Sequence, residues 1–333
     1  MPRALRLAIV GATGLVGQKM LEILLQREIE YSSLRLFASK NSAGKKIAMA
    51  GEEFTVEALS ESSLDDVDIA LFSAGSSISK QFGPIARQTK TIIIDNSSAW
   101  RMDETVPLVV PEINGEKALD HQYIIANPNC STIQMVMVLK PLEKKYGIKR
   151  VVVSTYQSVT GSGKRAVDQL HEELSGKQAS NPVYPYPIAF NALPHIDSFE
   201  ADGYTKEERK MINETRKIMG NPNIQVSPTC VRIPTQGGHS ESINLELDSA
   251  FELDDIRKLL SNTDGLLVID QPEKNKYPTP LIAEDTDDVY VGRIRRDQSI
   301  ENGLHLWVVS DNLRKGAATN AVQILEYLLR YDD

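Results

Sequence analysis

The residue best placed to do chemistry in this chain is a cysteine at the mouth of a helix. Cys130 stands in Ala126-Asn127-Pro128-Asn129-Cys130-Ser131-Thr132, after the apolar run Tyr123-Ile124-Ile125 and before the helical run Ile133 to Leu139. The thiol therefore falls where a strand gives way to a helix. There the positive end of the helix dipole and the unpaired N–H groups favour thiolate, the nucleophilic form. Pro128 and Asn129 keep the approach out of the helix and aim the side chain. The competing reading is a small buried hydrophobe, the common fate of an isolated cysteine. Cys230, the only other cysteine among 333 residues, reads as strand core.

A second constellation opens the chain. The apolar run Leu5 to Val10 predicts a buried strand, followed by Gly11-Ala12-Thr13-Gly14-Leu15-Val16-Gly17 and a helix from Gln18 to about Gln26. Met20, Leu21, Leu24 and Leu25 hold helical spacing on one face. Glycines there permit a tight turn, close backbone approach to a pyrophosphate and close helix–strand packing, while the helix N-terminus attracts phosphate. The pattern is G-x-x-G-x-x-G, a variant of the dinucleotide fingerprint, and a purely structural glycine turn is the alternative. After the next strand, Leu34 to Phe37, no acidic residue precedes Glu52 to hold ribose hydroxyls. Ser39, Lys40 and Ser42 offer themselves to a 2′-phosphate instead, which points to NADP rather than NAD.

The elements that must position these residues fall into two groups. Strand-like runs at Leu34–Phe37, Val67–Phe72 and Thr91–Asp95, with a helical stretch around Ile78 to Gln88, predict a Rossmann-type, doubly wound parallel sheet. Past Cys130 the strands Val151–Gln157, Thr229–Ile233, Ser242–Leu247, Tyr290–Arg295 and His305–Val309 are only partly separated by helices, which predicts an α+β domain with a mixed sheet. The expected division is a dinucleotide-binding domain of residues 1–127 plus 316–333 and a catalytic, substrate-binding and dimerisation domain of residues 128–315. The last helix, Gly316 to about Leu329, carries an apolar stripe and is expected to dock on the first domain. The Pro- and Tyr-bearing segment Asn181 to Pro194 is a long loop of the kind that serves function or an interface.

Composition excludes several classes. The net charge of -8 argues against a nucleic-acid surface, and no apolar run approaches the length that spans a bilayer. No basic segment followed by an apolar stretch marks a signal peptide. Two cysteines a hundred residues apart make no disulfide framework, and a nucleophilic thiol needs a reducing compartment, so the expected location is the cytoplasm. No His/Cys/carboxylate cluster has metal-ligand spacing, so no metal is expected.

Taken in order, several motifs resemble the aspartate-β-semialdehyde dehydrogenase family over essentially the whole chain. They are the opening glycine motif, Asp95-Asn96-Ser97-Ser98-Ala99-Trp100-Arg101-Met102, Asn127 to Thr132, Tyr156-Gln157, Arg232-Ile233-Pro234 with Gly238-His239-Ser240, and Asn312 to Ala318. The resemblance implies reduction of aspartyl-4-phosphate by a nicotinamide cofactor through a cysteine thioester, on the branch toward lysine, threonine, methionine and isoleucine. It implies Cys130 as nucleophile, His239 as general acid and base, and Gln157 orienting the acyl group. It assigns Arg232 to the substrate α-carboxylate, Glu207 to the ammonium, and Arg101, Lys210 and Asn129 to the phosphate. Glu208 competes for the Glu207 role by adjacency, and by pattern alone the run Lys206 to Lys210 is a solvated charged face.

On the cofactor side the resemblance implies contacts from Gly11, Thr13, Gly14, Leu15, Val16, Ser39, Lys40, Asn41, Ser42, Ser73, Ala74, Gly75, Gly161 and Asn320. Asn41 stands where many members carry an arginine, and Ser76 replaces a frequent glycine. The expected assembly is a homodimer or homotetramer. Two rivals share the scaffold. An N-acetyl-glutamyl-phosphate reductase has a cysteine that usually follows Pro-Gly rather than Pro-Asn, and an idle NADP-binding regulatory protein would not need Cys130, His239 and Arg232 intact.

Overall fold

The computed structural model describes residues 5–331. The chain divides into two compact units, one running to Pro128 and resuming at Ala317, the other Asn129–Gly316.

The first unit contains β1 (Arg6–Val10), α1 (Leu15–Gln26), β2 (Ser33–Ala38), β3 (Lys46–Met49), β4 (Glu52–Ala58), β5 (Ile69–Phe72), α2 (Ser76–Thr89), β6 (Ile92–Asp95), α3 (Pro111–Asn114) and β7 (Ile124–Ala126). They form a seven-stranded sheet in the order β3-β4-β2-β1-β5-β6-β7. All neighbours run parallel except the β3–β4 pair. The chain steps to β2 on one side of β1 and to β5 on the other, so the carboxyl end of β1 opens a crevice at the switch in strand order. Both faces of β1 are buried. Leu7 and Ile9 pack with Met20, Leu21 and Leu24 of α1, whereas Ala8 and Val10 pack with Phe37, Phe72 and Phe82, as strict alternation on a strand requires. Such two-sided burial is why these strands read as continuous apolar runs. The edge hairpin is different: β3 and β4 pair Met49 with Glu52 around Ala50-Gly51, and both turn residues have positive φ (50° and 83°).

The second unit contains α4 (Cys130–Tyr146), β8 (Ile148–Gln157), α5 (Lys164–Leu174), α6 (Lys206–Met219), β9 (Gln225–Arg232), β10 (His239–Leu247), α7 (Leu253–Ser261), β11 (Leu266–Val268), α8 (Pro280–Ala283), β12 (Val289–Asp297) and β13 (Gly303–Ser310). The sheet order is β11-β12-β13-β10-β8-β9, and it is mixed: β8–β9 and β11–β12 are parallel, the other pairs antiparallel. Helix α4 is buried along Ser131–Leu139 and packs on β8, β10 and β13, while α6 covers β9. On the covered face Val151, Val153, Thr155 and Gln157 of β8 alternate with half-buried neighbours. Glu241, Ile243 and Leu245 do the same on β10, where His239 and Ser240 are both buried. The expected loop between Asn181 and Pro194 is held by α5: Gln169 Oε1 accepts the N–H of Val183 and Tyr184, and Glu173 Oε2 that of Ile188 and Ala189.

A π-helical turn, Arg314–Ala318, leads into α9 (Thr319–Tyr331). That helix lies in the first unit, where Ile324, Leu325 and Leu328 join the core behind α1. Among the described residues no helix is long and apolar enough to cross a membrane.

Candidate active site

Cys130 is the first residue of α4, half-buried, and neither cysteine forms a disulfide. Asn129 caps the helix: its Oδ1 accepts from the N–H of Ser131 (3.0 Å) and Thr132 (3.2 Å). This satisfies two orphan donors of the first turn, and places the thiol at the positive end of the dipole. The turn around Gly316 approaches so closely that a Cβ there would stand 2.9 Å from the Cβ of Cys130. Cys230 has the opposite environment. It is fully buried beside Met211, and burial, followed by the charge of Glu207, pushes its thiol far above the ordinary range, which makes it inert.

Helix α6 brings the charged run against this cap. Glu207 is 5% exposed. Its Oε1 accepts from Asn129 Nδ2 (2.8 Å) and Gln157 Nε2 (3.3 Å), and its Oε2 from Lys210 Nζ (3.1 Å). Burial alone would raise its pKa, but Lys210, the Asn129 amide and Arg232 outweigh it and hold the carboxyl below its usual range. Lys210 is a mirror case: burial works against its charge, but Glu207 and Asp197 raise it, the Asp197 bond being 2.8 Å. Glu208 is directed elsewhere. It closes a capping box with Thr205 and accepts the backbone N–H of Cys230 (3.0 Å), so of the two adjacent glutamates it is Glu207 that meets Asn129 and Gln157.

The parallel pairing of β8 with β9 sets Gln157 opposite Arg232. Arg232 is 4% exposed; its Nη1 donates to the carbonyl of Ser158 (2.6 Å), while its Nε is buried with no hydrogen-bond partner among the described residues. His239 begins β10 and is fully buried. Its Nδ1 accepts the N–H of Ser158 (3.0 Å), which assigns the proton of the neutral ring to Nε2. That Nε2 has no hydrogen-bond partner among the described residues. Burial first, and the Arg232 charge second, push the imidazole well below its ordinary pKa. Gly161, expected on the cofactor side, lies against this pair: a Cβ there would be 3.1 Å from Arg232 Nη1 and 3.3 Å from His239 Nε2.

The second unit thus unites Asn129, Cys130, Gln157, Glu207, Lys210, Arg232 and His239. A buried arginine and an N–H-bearing imidazole lie on one side, and a carboxylate–ammonium pair on the other. Such a set can bind a small zwitterion and present a thiolate to its acyl carbon. Asp197, Ser158 and Glu214, whose Oε2 accepts the Asn129 N–H, were not read from the sequence. Glu214 had a signal, since it sits seven residues after Glu207 on one helix face; Asp197 and Ser158 lie in irregular chain and had none.

The first unit holds a cavity of about 600 Å³ at the carboxyl end of β1, walled by Gly11, Thr13, Gly14, Ser39, Lys40, Ser73 and Ala74. Ser60, Glu61 and Gln81, not foreseen, complete it. Gly11 has φ +89°, and a Cβ on it would stand 2.3 Å from the Ser73 carbonyl oxygen; one on Gly17 would strike the Gly11 carbonyl at 2.2 Å. The crevice therefore keeps backbone where side chains would intrude, and it fits a dinucleotide's phosphates at the start of α1. Leu15 and Val16 open α1, Gly75 caps α2, and Asn41 and Ser42 lie in the short turn after Ser39. None of these five walls the cavity. Asn320 is fully buried in α9, donating to the Val109 carbonyl and Asn127 Oδ1. Arg101 is 7% exposed and donates to the carbonyls of Asn127 and Asn96.

Known proteins with this arrangement define its class. Residues 6–121 match the semialdehyde dehydrogenase NAD binding domain, and residues 139–315 the semialdehyde dehydrogenase dimerisation domain. The aspartate-semialdehyde dehydrogenase of Aquifex aeolicus is 55% identical, with 98% of each chain covered. Among solved structures, aspartate semialdehyde dehydrogenase II of Vibrio cholerae, complexed with ASA, superimposes with a TM-score of 0.95 at 45% identity over 99% of both chains. The Candida albicans enzyme, solved with NADP, does so at 0.78 and 25% identity, covering 98% of this chain and 99% of that one. The chain belongs to the aspartate-semialdehyde dehydrogenase family.

Proposed function

We propose that this protein is an NADP-dependent oxidoreductase that converts L-aspartyl-4-phosphate to L-aspartate 4-semialdehyde and inorganic phosphate, in amino-acid biosynthesis. The observation that carries the site reading is the junction at Asn129-Cys130, where the residue that caps the thiol's helix is bonded to the buried Glu207–Lys210 pair. The bound zwitterion places its α-carboxylate on Arg232, whose Nε is left open for it, and its ammonium on Glu207. Lys210 takes the phosphate.

The Cys130 thiolate attacks the acyl carbon, the C–O bond to phosphate breaks, and phosphate leaves with the electron pair. NADPH, when bound, supplies hydride to the resulting thioester carbonyl. The tetrahedral thiohemiacetal oxyanion then re-forms its C=O bond and expels the Cys130 thiolate as aldehyde departs. Developing negative charge on the carbonyl oxygen needs a donor held ready, and His239 Nε2–H, with Gln157, is suited to supply it. The Ser158 N–H holds His239 in the donor tautomer, so the resting imidazole acts as hydrogen-bond and proton donor. Accepting the thiol proton at Nε2 would require the ring to exchange tautomers and give up that bond. Helix placement of Cys130 lessens the need for such a base.

The enzyme works in the cytoplasm as a homodimer or homotetramer built through the second unit. The test is the reverse reaction with purified protein: aspartate semialdehyde, phosphate and NADP should give NADPH, with NAD poorer. Preference for N-acetyl-glutamate semialdehyde, or turnover without phosphate or arsenate, would overturn this reading.

A further inference from the structure

Asn129 is gripped on two sides by one helix. Glu207 Oε1 holds its side-chain amide at 2.8 Å, and Glu214 Oε2 holds its backbone N–H at 2.7 Å. The two glutamates are seven residues apart on α6, so they lie on one face two turns from each other. Glu214 is 1% exposed. The remaining groups of Asn129 face the other way: Oδ1 caps Ser131 and Thr132, and its carbonyl accepts the N–H of Ile133 (2.9 Å). Every polar group of the residue before the nucleophile is thus engaged, half with α4 and half with α6. Asn129 has β-region φ and ψ (-63°, 142°), so its N–H points out of the helix it caps, and without Glu214 that N–H would be buried with no acceptor.

The consequence is geometric. Helix α6 carries Glu207 and Lys210, the groups assigned to substrate ammonium and phosphate, while α4 carries the thiol. These helices approach at Asn129, and an error in that seat shifts the sulfur relative to the substrate's charged ends. Glu207 alone does not set the seat, because it holds the side-chain amide and not the backbone. A backbone N–H cannot shift without moving the chain. We propose that Glu214 is a positioning residue for the nucleophile: by holding the Asn129 N–H it fixes the first turn of α4, and with it Cys130, against the substrate-binding helix. This rests on Cys130 being the nucleophile, and it names a residue that touches neither substrate nor cofactor.

The reach of Glu214 matters in this account, rather than its charge alone. Glu214→Gln keeps an acceptor oxygen at the same reach; Glu214→Asp keeps the charge but withdraws the oxygen by one methylene. The glutamine variant should retain kcat within about fivefold. The aspartate variant should lose roughly 10- to 100-fold in kcat, with KM for aspartate semialdehyde moving less than about threefold, because misplacing a reacting atom by a fraction of an ångström to an ångström costs on this scale. A second readout is independent of turnover: the rate of iodoacetamide alkylation at Cys130, the accessible thiol. It should fall about three- to tenfold in the aspartate variant and hold in the glutamine variant, since the sulfur leaves the best part of the helix-terminal field. If both variants lose kcat alike, or if the aspartate variant keeps parental kcat and alkylation rate while only its melting temperature falls, the proposal is overturned. Should the parent fail to turn over aspartate semialdehyde, the substrate reading falls, and the alkylation comparison still decides the positioning role.

Discussion

Adding a single methyl at Gly161 probes the centre of the proposed site with little disturbance of the fold. The residue lies in the 3₁₀ turn Val159–Ser162, with negative φ, so alanine fits its backbone. Replacing glycine where alanine fits commonly gains about 0.4–1 kcal/mol through the unfolded state. The new Cβ would nonetheless stand 3.1 Å from Arg232 Nη1 and 3.3 Å from Cε1 and Nε2 of His239, each a few tenths of an ångström inside comfortable contact. Arg232 is anchored by a 2.6 Å bond to the Ser158 carbonyl and His239 by the Ser158 N–H. Neither can retreat without breaking its anchor. The methyl would also cover the Nε2–H intended for the oxyanion. Displacement alone suggests about tenfold, and loss of one oxyanion donor about 10²–10³. A partial loss of both predicts a fall in kcat/KM for aspartate semialdehyde of roughly 10- to 100-fold, or about 1.4–2.7 kcal/mol. Steady-state kinetics with each substrate varied, alongside a melting curve, measures it. The reasoning is refuted if kcat/KM for aspartate semialdehyde stays within about twofold of the parent. It is equally refuted if only KM for NADP rises at constant kcat, which would return Gly161 to the cofactor.

Three further outcomes are expected. Cys130→Ala should abolish turnover by several orders of magnitude while NADP binding, followed by fluorescence titration, stays within a few-fold; Cys230→Ala should keep activity and lose about 1 kcal/mol of stability as a trimmed core residue. Arg232→Leu should cost about 2–5 kcal/mol in kcat/KM and Arg232→Lys should recover only part, since a point charge does not reproduce a planar fork; full recovery by lysine would remove the bidentate role. Glu241 is fully buried on β10, and burial pushes its pKa well above the carboxylate range, opposed only in part by the neighbouring Gln134 amide. The native state therefore holds a proton that the unfolded chain releases above about pH 4.5, and stability declines as pH rises toward the folded pKa, by at most about 1.4 kcal/mol per unit. Glu241→Gln does not titrate, so its melting temperature should gain on the parent as pH rises above about 5, and a constant gap would contradict the assignment.

Legibility in the sequence followed burial. The strands β1, β5 and β6 are apolar because helices cover both faces, and their pattern was plain. The β3–β4 hairpin was not: its strands are largely exposed, with Lys46, Glu52 and Glu53 facing solvent, and its turn places Ala50 at positive φ, where the usual signal is Asn or Gly. Within the site, Cys130 was readable from its helix start and the nucleotide cavity from its glycines. The run Lys206 to Lys210 reads as a wet helix face, and only the family resemblance directed attention to it. In the fold Glu207 and Glu208 turn inward, 5% and 8% exposed, against a helix cap and a strand edge. A polar interior face carries no hydropathy signal. The donor state of His239 was likewise hidden, because it depends on Ser158, brought over by the pairing of β8 with β10.

Gln157 and Arg232 end two parallel neighbours, β8 and β9, and parallel strands cannot be joined by a tight turn. Between them the chain travels through α5, the proline-bearing loop and all of α6 before returning. Closing so long an excursion carries an entropy cost that is met before the pairing rewards it, and contacts of this separation form slowly. The helix cap at Asn129 shares the delay, because both of its carboxylate partners ride on the same excursion. The first unit up to β7 has no such debt to distant chain in its β1–β2 and β5–β6 pairs. During refolding those local strand pairs can therefore precede a working thiol, and regained activity reports a late stage of assembly, later than regained secondary structure.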